Sequence, residues 1–248
     1  MQSGILLLTV QGPIIRIAPN EVAIADPTAI KTIYSISSSF TKTDFYPLFR
    51  PSFARYPDLF TNLDEKSHAS RRKIVNNLYS MSNIVRSEAN IDNCTETLME
   101  KFHEIAVKGD AIDVSTWVQW YAFDVIGELF FSRMFGFMAQ AADYRGYITA
   151  LDCLLPMLTT ACVMPSYIRP FFLTGGAIFP RILKALMSLK NVETAAKDAV
   201  AERSALMKKG EADGKDDILN SLFEVMETKG EKVDFGLTEI TVEVYVAL

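Results

Sequence analysis

The sequence predicts a mainly α-helical protein that opens with one small β-hairpin, and three observations carry this. From Asp64 onward, apolar residues recur at helical spacing over most of the chain. Two short β-type runs lie close together near the amino end, at IIRIA and EVAIA. Cap and stop residues fall where the helical periodicity begins and ends: Asp26-Pro27, Gly109 and Asp216-Asp217.

Pro13 to Ala25 supplies the hairpin, with Pro19-Asn20 as its turn, because proline pre-sets φ and asparagine tolerates the left-handed region. Asp26 as cap and Pro27 at the first helical position start a short helix through Ile30, Ile33 and Tyr34. Phe40 to Asn62 carries six aromatic residues between Phe45 and Phe60, with prolines at 47, 51 and 57. It is therefore a long aromatic loop with room for one helical turn. Ile74, Val75 and Leu78 mark the first amphipathic face. Ile84, Ile91, Leu98, Phe102 and Ile105 mark the next, which Gly109 closes.

AIDV at 111–114 reads as a short strand, with Ser115 capping a helix from Thr116 to Phe131. That helix is apolar on nearly every side, which predicts deep burial in a sizeable protein. Helices follow at about Ala142–Ala161 and Phe179–Lys209, then a solvated turn at Gly210–Lys215 and a helix running to about Thr228. The final TEITVEVYVAL alternates and is β-branched, so taken alone it favours a strand. The whole, 1–248, is expected to form one incomplete domain: a hairpin over 12–25 and mostly helix over 26–248.

The bulk numbers exclude several function classes. Hydrophobic residues are 49 % and charged residues 22 % of the 248, which is globular rather than disordered. A net charge of −5 argues against a nucleic-acid partner, since phosphate contacts need a basic face. Cys94, Cys153 and Cys162 are odd in number and lack CxxC spacing, which points to small buried thiols rather than a disulfide or zinc framework. With only His68 and His103, no histidine-based metal site is expected. Ile5–Val10 is an apolar run too short to cross a bilayer. No GxSxG, phosphate loop or GxGxxG occurs.

His68 and Arg72 stand four apart on one helix, so both project from one face and suit an anionic group such as a carboxylate. An isolated His-x3-Arg more often marks a surface ion cluster. Its surroundings narrow the choice. GPIIRIAPNEVAIADPTAIKTIY (12–34), LDEKSHASRRKIVNNLYSMS (63–82) and FDVIGELFFSRMFGFM (123–138) resemble fungal-type cytochrome P-450 monooxygenases in content, order and spacing. Pisatin demethylase-type enzymes are the nearest in kind. The resemblance runs from Gly12 to Ala247 and thins between Ala139 and Lys215.

The resemblance implies a cytochrome P-450 fold present without its C-terminal half. It implies haem as cofactor, with His68 and Arg72 contacting the propionates and Arg71 at a neighbouring basic position. It also recasts TEITVEVYVAL as the start of the long central helix. The family's oxygen-activating acid–alcohol pair, its ExxR ion pair and its FxxGxRxCxG cysteine loop are not in this sequence. No catalytic residue or iron ligand is therefore assigned.

The implied activity is a haem-dependent monooxygenase inserting one oxygen atom from O2 into a small apolar substrate, with electrons from an NADPH-dependent reductase. This chain would be an inactive fragment of it. The family implies the cytosolic face of the endoplasmic reticulum membrane; without its anchor the chain would be cytosolic or membrane-peripheral. Residues 164–179, MPSYIRPFFLTGGAIF, match a loop that dips into the bilayer surface in relatives, though a buried connector between helices reads slightly better. The alternative function is a non-catalytic helical module contacting lipid or a protein partner.

Overall fold

Turn chemistry shapes the first elements. In the computed structural model, which describes residues 12–35, 38–209 and 217–247 (without the side chains of 188 and 189), Pro19 and Asn20 separate β1 (Ile14–Ala18) from β2 (Glu21–Ile24). The strands are antiparallel, Ile14 facing Ile24, with an irregularity between Arg16 and Ala18. Asp26 then accepts a hydrogen bond from the Thr28 N–H at 2.9 Å, and α1 follows over Ala29–Ile33, two residues later than the cap itself suggests. The chain divides into two compact units, 1–42 and 43–248; the hairpin and α1 belong to the first. The amino-terminal run Ile5–Val10 and the expected turn at Gly210–Lys215, with Asp216, lie outside the described residues.

The regular elements of the second unit are all helices among its described residues. Its aromatic loop holds a single 3-10 turn at Tyr46–Phe49, as its proline content dictates. Asp58 ends the loop: its carboxylate accepts from the Phe60 and Thr61 N–H groups and from the Thr61 hydroxyl. Next come α2 (Glu65–Val75), α3 (Met81–Ile84), a 3-10 turn at Val85–Ser87 and α4 (Glu88–Lys108). Gly109, at φ 74°, closes α4 in the left-handed conformation that glycine adopts without strain.

Residues 111–113 are not a strand. AIDV finds no partner edge there, and the chain passes directly into α5 (Val114–Phe131), capped by Asp113 rather than Ser115. The Asp113 carboxylate takes the Ser115 N–H at 3.0 Å and the Thr116 hydroxyl at 2.8 Å, so the helix starts two residues early. Nor is α5 buried all round in this unit. Trp117, Phe130 and Phe131 are inside, whereas Val114 and Val118 are about half exposed at 54 % and 51 %.

Beyond α5 the backbone folds back on itself. A side chain on Gly127 would put its Cβ 2.6 Å from the Arg133 carbonyl, so only glycine allows this approach. The short α6 (Phe137–Gln140) follows, then α7 (Tyr147–Val163), α8 (Arg169–Gly176) and α9 (Pro180–Lys208). Small residues let α7 and α9 meet closely, with Ala150, Leu154 and Ala185 at their contact.

The main core is built by α2, α5, α9, α10 (Ile218–Val233) and α11 (Leu237–Ala247) around Val75, Phe130, Ala196, Leu219, Leu222, Phe223, Ile240 and Val244. The strand reading of TEITVEVYVAL is overturned: the segment is helix through Ala247. Ile240, Thr241 and Val244 are all buried; in a helix they share a face, whereas an alternating strand would turn Thr241 to the opposite side.

Candidate functional site

The site-bearing helix α2 is set by its first turn. Asp64 caps it by accepting the Ser67 N–H at 2.6 Å, and Asn62 ties the same turn by donating to the Ser67 hydroxyl at 3.0 Å. One turn on, His68 is half-buried; Arg72, a further turn along, is exposed. The structure places both on the same face of α2.

Arg71 is used differently. Its guanidinium lies over the Tyr56 ring, 4.0 Å from the centroid. The Tyr56 hydroxyl donates to Asp234, the left-handed residue (φ 50°) between α10 and α11, and Arg55 pairs with the same carboxylate at 3.1 Å. The Tyr56 hydroxyl and the Arg55 guanidinium hold the Asp234 carboxyl below the usual carboxylate range. Arg71 is thereby committed to fastening the loop against the α10–α11 turn.

Two cavities adjoin this cluster. The smaller, about 20 Å³, is lined by Tyr56, Arg71, Glu239 and Glu243 among others. The larger, open and mainly apolar, is about 430 Å³ and is bounded by Leu59, Phe60, Tyr79, Ile126, Phe130, Val246 and Ala247, with Asp58 and Glu243. Glu243 stands on the wall between the two. Tyr79 donates to its Oε2 at 3.1 Å, and burial pushes both the Glu243 carboxyl and the Tyr79 phenol upward.

His68 and Arg72 line neither cavity, whereas Arg71 lines the smaller. Sequence reading passed over Glu239, Glu243 and Tyr79. A signal existed: two carboxylates four residues apart in an otherwise apolar run share one face once the run is helical.

The cysteines sit elsewhere. Cys94 is buried beside Trp117 and Met138, where burial pushes its thiol up to about 12. Cys162 is buried near the end of α7, and Cys153 lies against the Arg181 carbonyl at 3.9 Å. None borders either cavity. Among the described residues, no group of three His, Cys, Asp or Glu side chains is placed to hold a metal ion.

A family-wide profile for cytochrome P450 matches residues 12–248. The chain is 38 % identical over 239 residues to the cytochrome P450 monooxygenase gsfF of Penicillium aethiopicum, which covers 96 % of this chain and 47 % of that protein. It is 37 % identical over 142 residues to the cytochrome P450 monooxygenase mpaDE' of Penicillium brevicompactum, covering 55 % of this chain and 17 % of that protein. To the cytochrome P450 monooxygenase asR2 of Sarocladium schorii it is 36 % identical over 145 residues, 56 % of this chain and 28 % of that protein. The chain thus spans about half the length of gsfF. The profile runs through the hairpin, the His68–Arg72 helix and α11, and on that evidence the chain belongs to the cytochrome P450 family.

Proposed function

We propose that this chain supplies the propionate-binding helix and, separately, one wall of the ligand pocket of a haem-dependent monooxygenase. The observation that carries the reading is the family match across 12–248, with His68 and Arg72 sharing a face of α2. The residues present fit part of the group. A histidine and a guanidinium on one face suit two carboxylates, and the separate apolar cavity beside α11, which neither residue lines, suits a small apolar ligand. When bound, haem would supply the chemistry that activates O2 for insertion of one oxygen atom into a small apolar substrate, with electrons from an NADPH-dependent reductase.

Within this chain, His68 and Arg72 hold and orient anionic groups, while Phe60, Ile126 and Phe130 give the cavity its apolar wall. The iron ligand comes from none of Cys94, Cys153 or Cys162, which lie away from it. The 248-residue chain is therefore inactive in oxygenation by itself.

Titration with haemin, read by tryptophan quenching, tests the assignment. The unaltered chain is expected to bind without a thiolate-type Soret band under carbon monoxide. Replacing His68 or Arg72 with leucine should weaken binding by about tenfold each, the worth of one charge-assisted hydrogen bond. Unchanged affinity in the double replacement, or a thiolate-type band from the unaltered chain, would overturn it.

A membrane contact is favoured by a separate observation. Tyr167, Phe171, Ile178 and Phe179 are 73 %, 78 %, 81 % and 65 % exposed, and Leu183 and Met187 continue the patch along α9. Aromatics of this density beside the exposed Arg181 suit the headgroup boundary of a bilayer. The chain is expected to float with vesicles of mixed neutral and anionic phospholipid. Phe171→Ser combined with Phe179→Ser should release most of it; equal flotation of the two forms would count against lipid contact.

A further inference from the structure

The aromatic loop is long, rich in proline and nearly without secondary structure of its own, yet its first residues are tied to a distant part of the chain. Arg169, the first residue of α8, has a side chain only 12 % exposed. Its Nε donates to the Met164 carbonyl at 2.9 Å and its Nη2 to the Cys162 carbonyl at 2.9 Å. The same guanidinium reaches across to Asp44: Nη1 donates to the backbone carbonyl at 3.0 Å, and Nη2 pairs with the carboxylate at 2.9 Å. One planar fork thus satisfies carbonyls left open at the end of α7 and clamps the start of the loop.

From Asp44 the contact passes along a chain of rings. Phe45 packs on Tyr46 and Phe49, with centroids 5.4 and 5.7 Å apart. Tyr46 and Phe49 both meet the Phe60 ring edge-on, at 5.1 and 5.6 Å. Phe60 forms a wall of the 430 Å³ cavity. Inside the loop, Arg50 donates to the Ala54 and Arg55 carbonyls at 2.9 and 3.0 Å. These rings therefore move as a packed group rather than singly.

We infer that Arg169 is a positioning residue: without lining the cavity, it fixes the aromatic wall of the cavity by holding Asp44, and so helps set which apolar ligand the cavity accepts. The last clause rests on the cavity being the ligand space of the proposed function; the mechanical clause does not.

Hydrogen exchange of the full chain, followed by mass spectrometry without haem, tests the mechanical clause directly. Arg169→Gln is expected to speed exchange of the amides in 45–60 by about tenfold, the loss of at least one charge-assisted hydrogen bond. Amides of α4 and α10 should be unchanged. If Arg169 merely fastens α7 to α8, faster exchange will be confined to 162–170, and the inference is then wrong.

Phe60→Trp provides a second readout at the cavity wall. Its emission should shift to the red when Arg169→Gln is added; an unmoved spectrum also overturns the inference. Should Arg169→Gln fail to fold, Asp44→Asn removes only the ion pair, leaves the three carbonyl contacts in place, and is expected to give the same loop-specific pattern. Because no haem is present, a failed haemin titration leaves these outcomes unaffected.

Discussion

Asp124→Ala is expected to remove about 3–5 kcal/mol of folding stability, which would leave the chain near or past unfolding. Asp124 is fully buried on α5, and its two oxygens accept the backbone N–H groups of Gly136, Phe137 and Met138 at 2.8, 3.3 and 2.9 Å. These donors belong to the fold-back after α5 and to the first turn of α6, and Phe137 and Met138 are themselves fully buried. Deleting the carboxylate leaves three buried donors facing a void, each costing about 1–3 kcal/mol before relaxation. Asp124→Asn keeps one acceptor oxygen and should lose roughly half as much. Urea denaturation of the purified chain measures both. A loss below 1 kcal/mol for the alanine form would mean that water or a neighbouring group takes over these donors.

Arg203→Met is expected to cost about 3–5 kcal/mol, the usual penalty for stranding a buried charge. Arg203 and Asp217 meet in a two-pronged pair at 2.9 and 2.7 Å, with side chains only 5 % and 0 % exposed. Asp217 also accepts the Ser132 hydroxyl at 2.8 Å and caps α10 through the Asn220 N–H at 2.8 Å. One carboxylate therefore joins α9, the end of α5 and the start of α10. Without the guanidinium it remains in the core with its charge unbalanced. Adding Asp217→Asn to Arg203→Met removes that charge while keeping an amide oxygen for the cap, so part of the loss should return. If the double replacement is less stable than Arg203→Met alone, the pair is not the source of the penalty.

Much of this architecture was legible because local chemistry and tertiary packing agree. The Gly109 stop and the proline-broken loop each state their own backbone geometry, and each is found. The helix over Val114–Phe131 was legible in kind but not in its start, because Asp113 competes with Ser115 as a cap and wins by reaching two donors. TEITVEVYVAL failed as pattern. Its Val, Ile and Thr content is a strand signal, but burial of Ile240 and Val244 against the core outweighs a propensity difference of about 1 kcal/mol at most. Only likeness to a family indicated the helix there. His68 and Arg72 were likewise singled out from their surroundings more than from their own spacing. The wall residues Glu243 and Tyr79 went unseen because they come together from segments far apart in the chain, a helix and a turn. Arg169 had no sequence signal, since carbonyl acceptors and a partner at Asp44 carry no motif.

At 29 residues, α9 runs for about 44 Å, more than the width of a small domain. Its first two turns carry the exposed Leu183 and Met187, while Ala196, Val200 and Arg203 toward its other end are shut in the core. The same helix therefore answers to two selection pressures separated by only a few turns. Substitution at Leu183 or Met187 would alter the exposed surface while the fold stays intact. Drift at 196–203 would empty the cell of folded protein before any change in surface behaviour could be noticed.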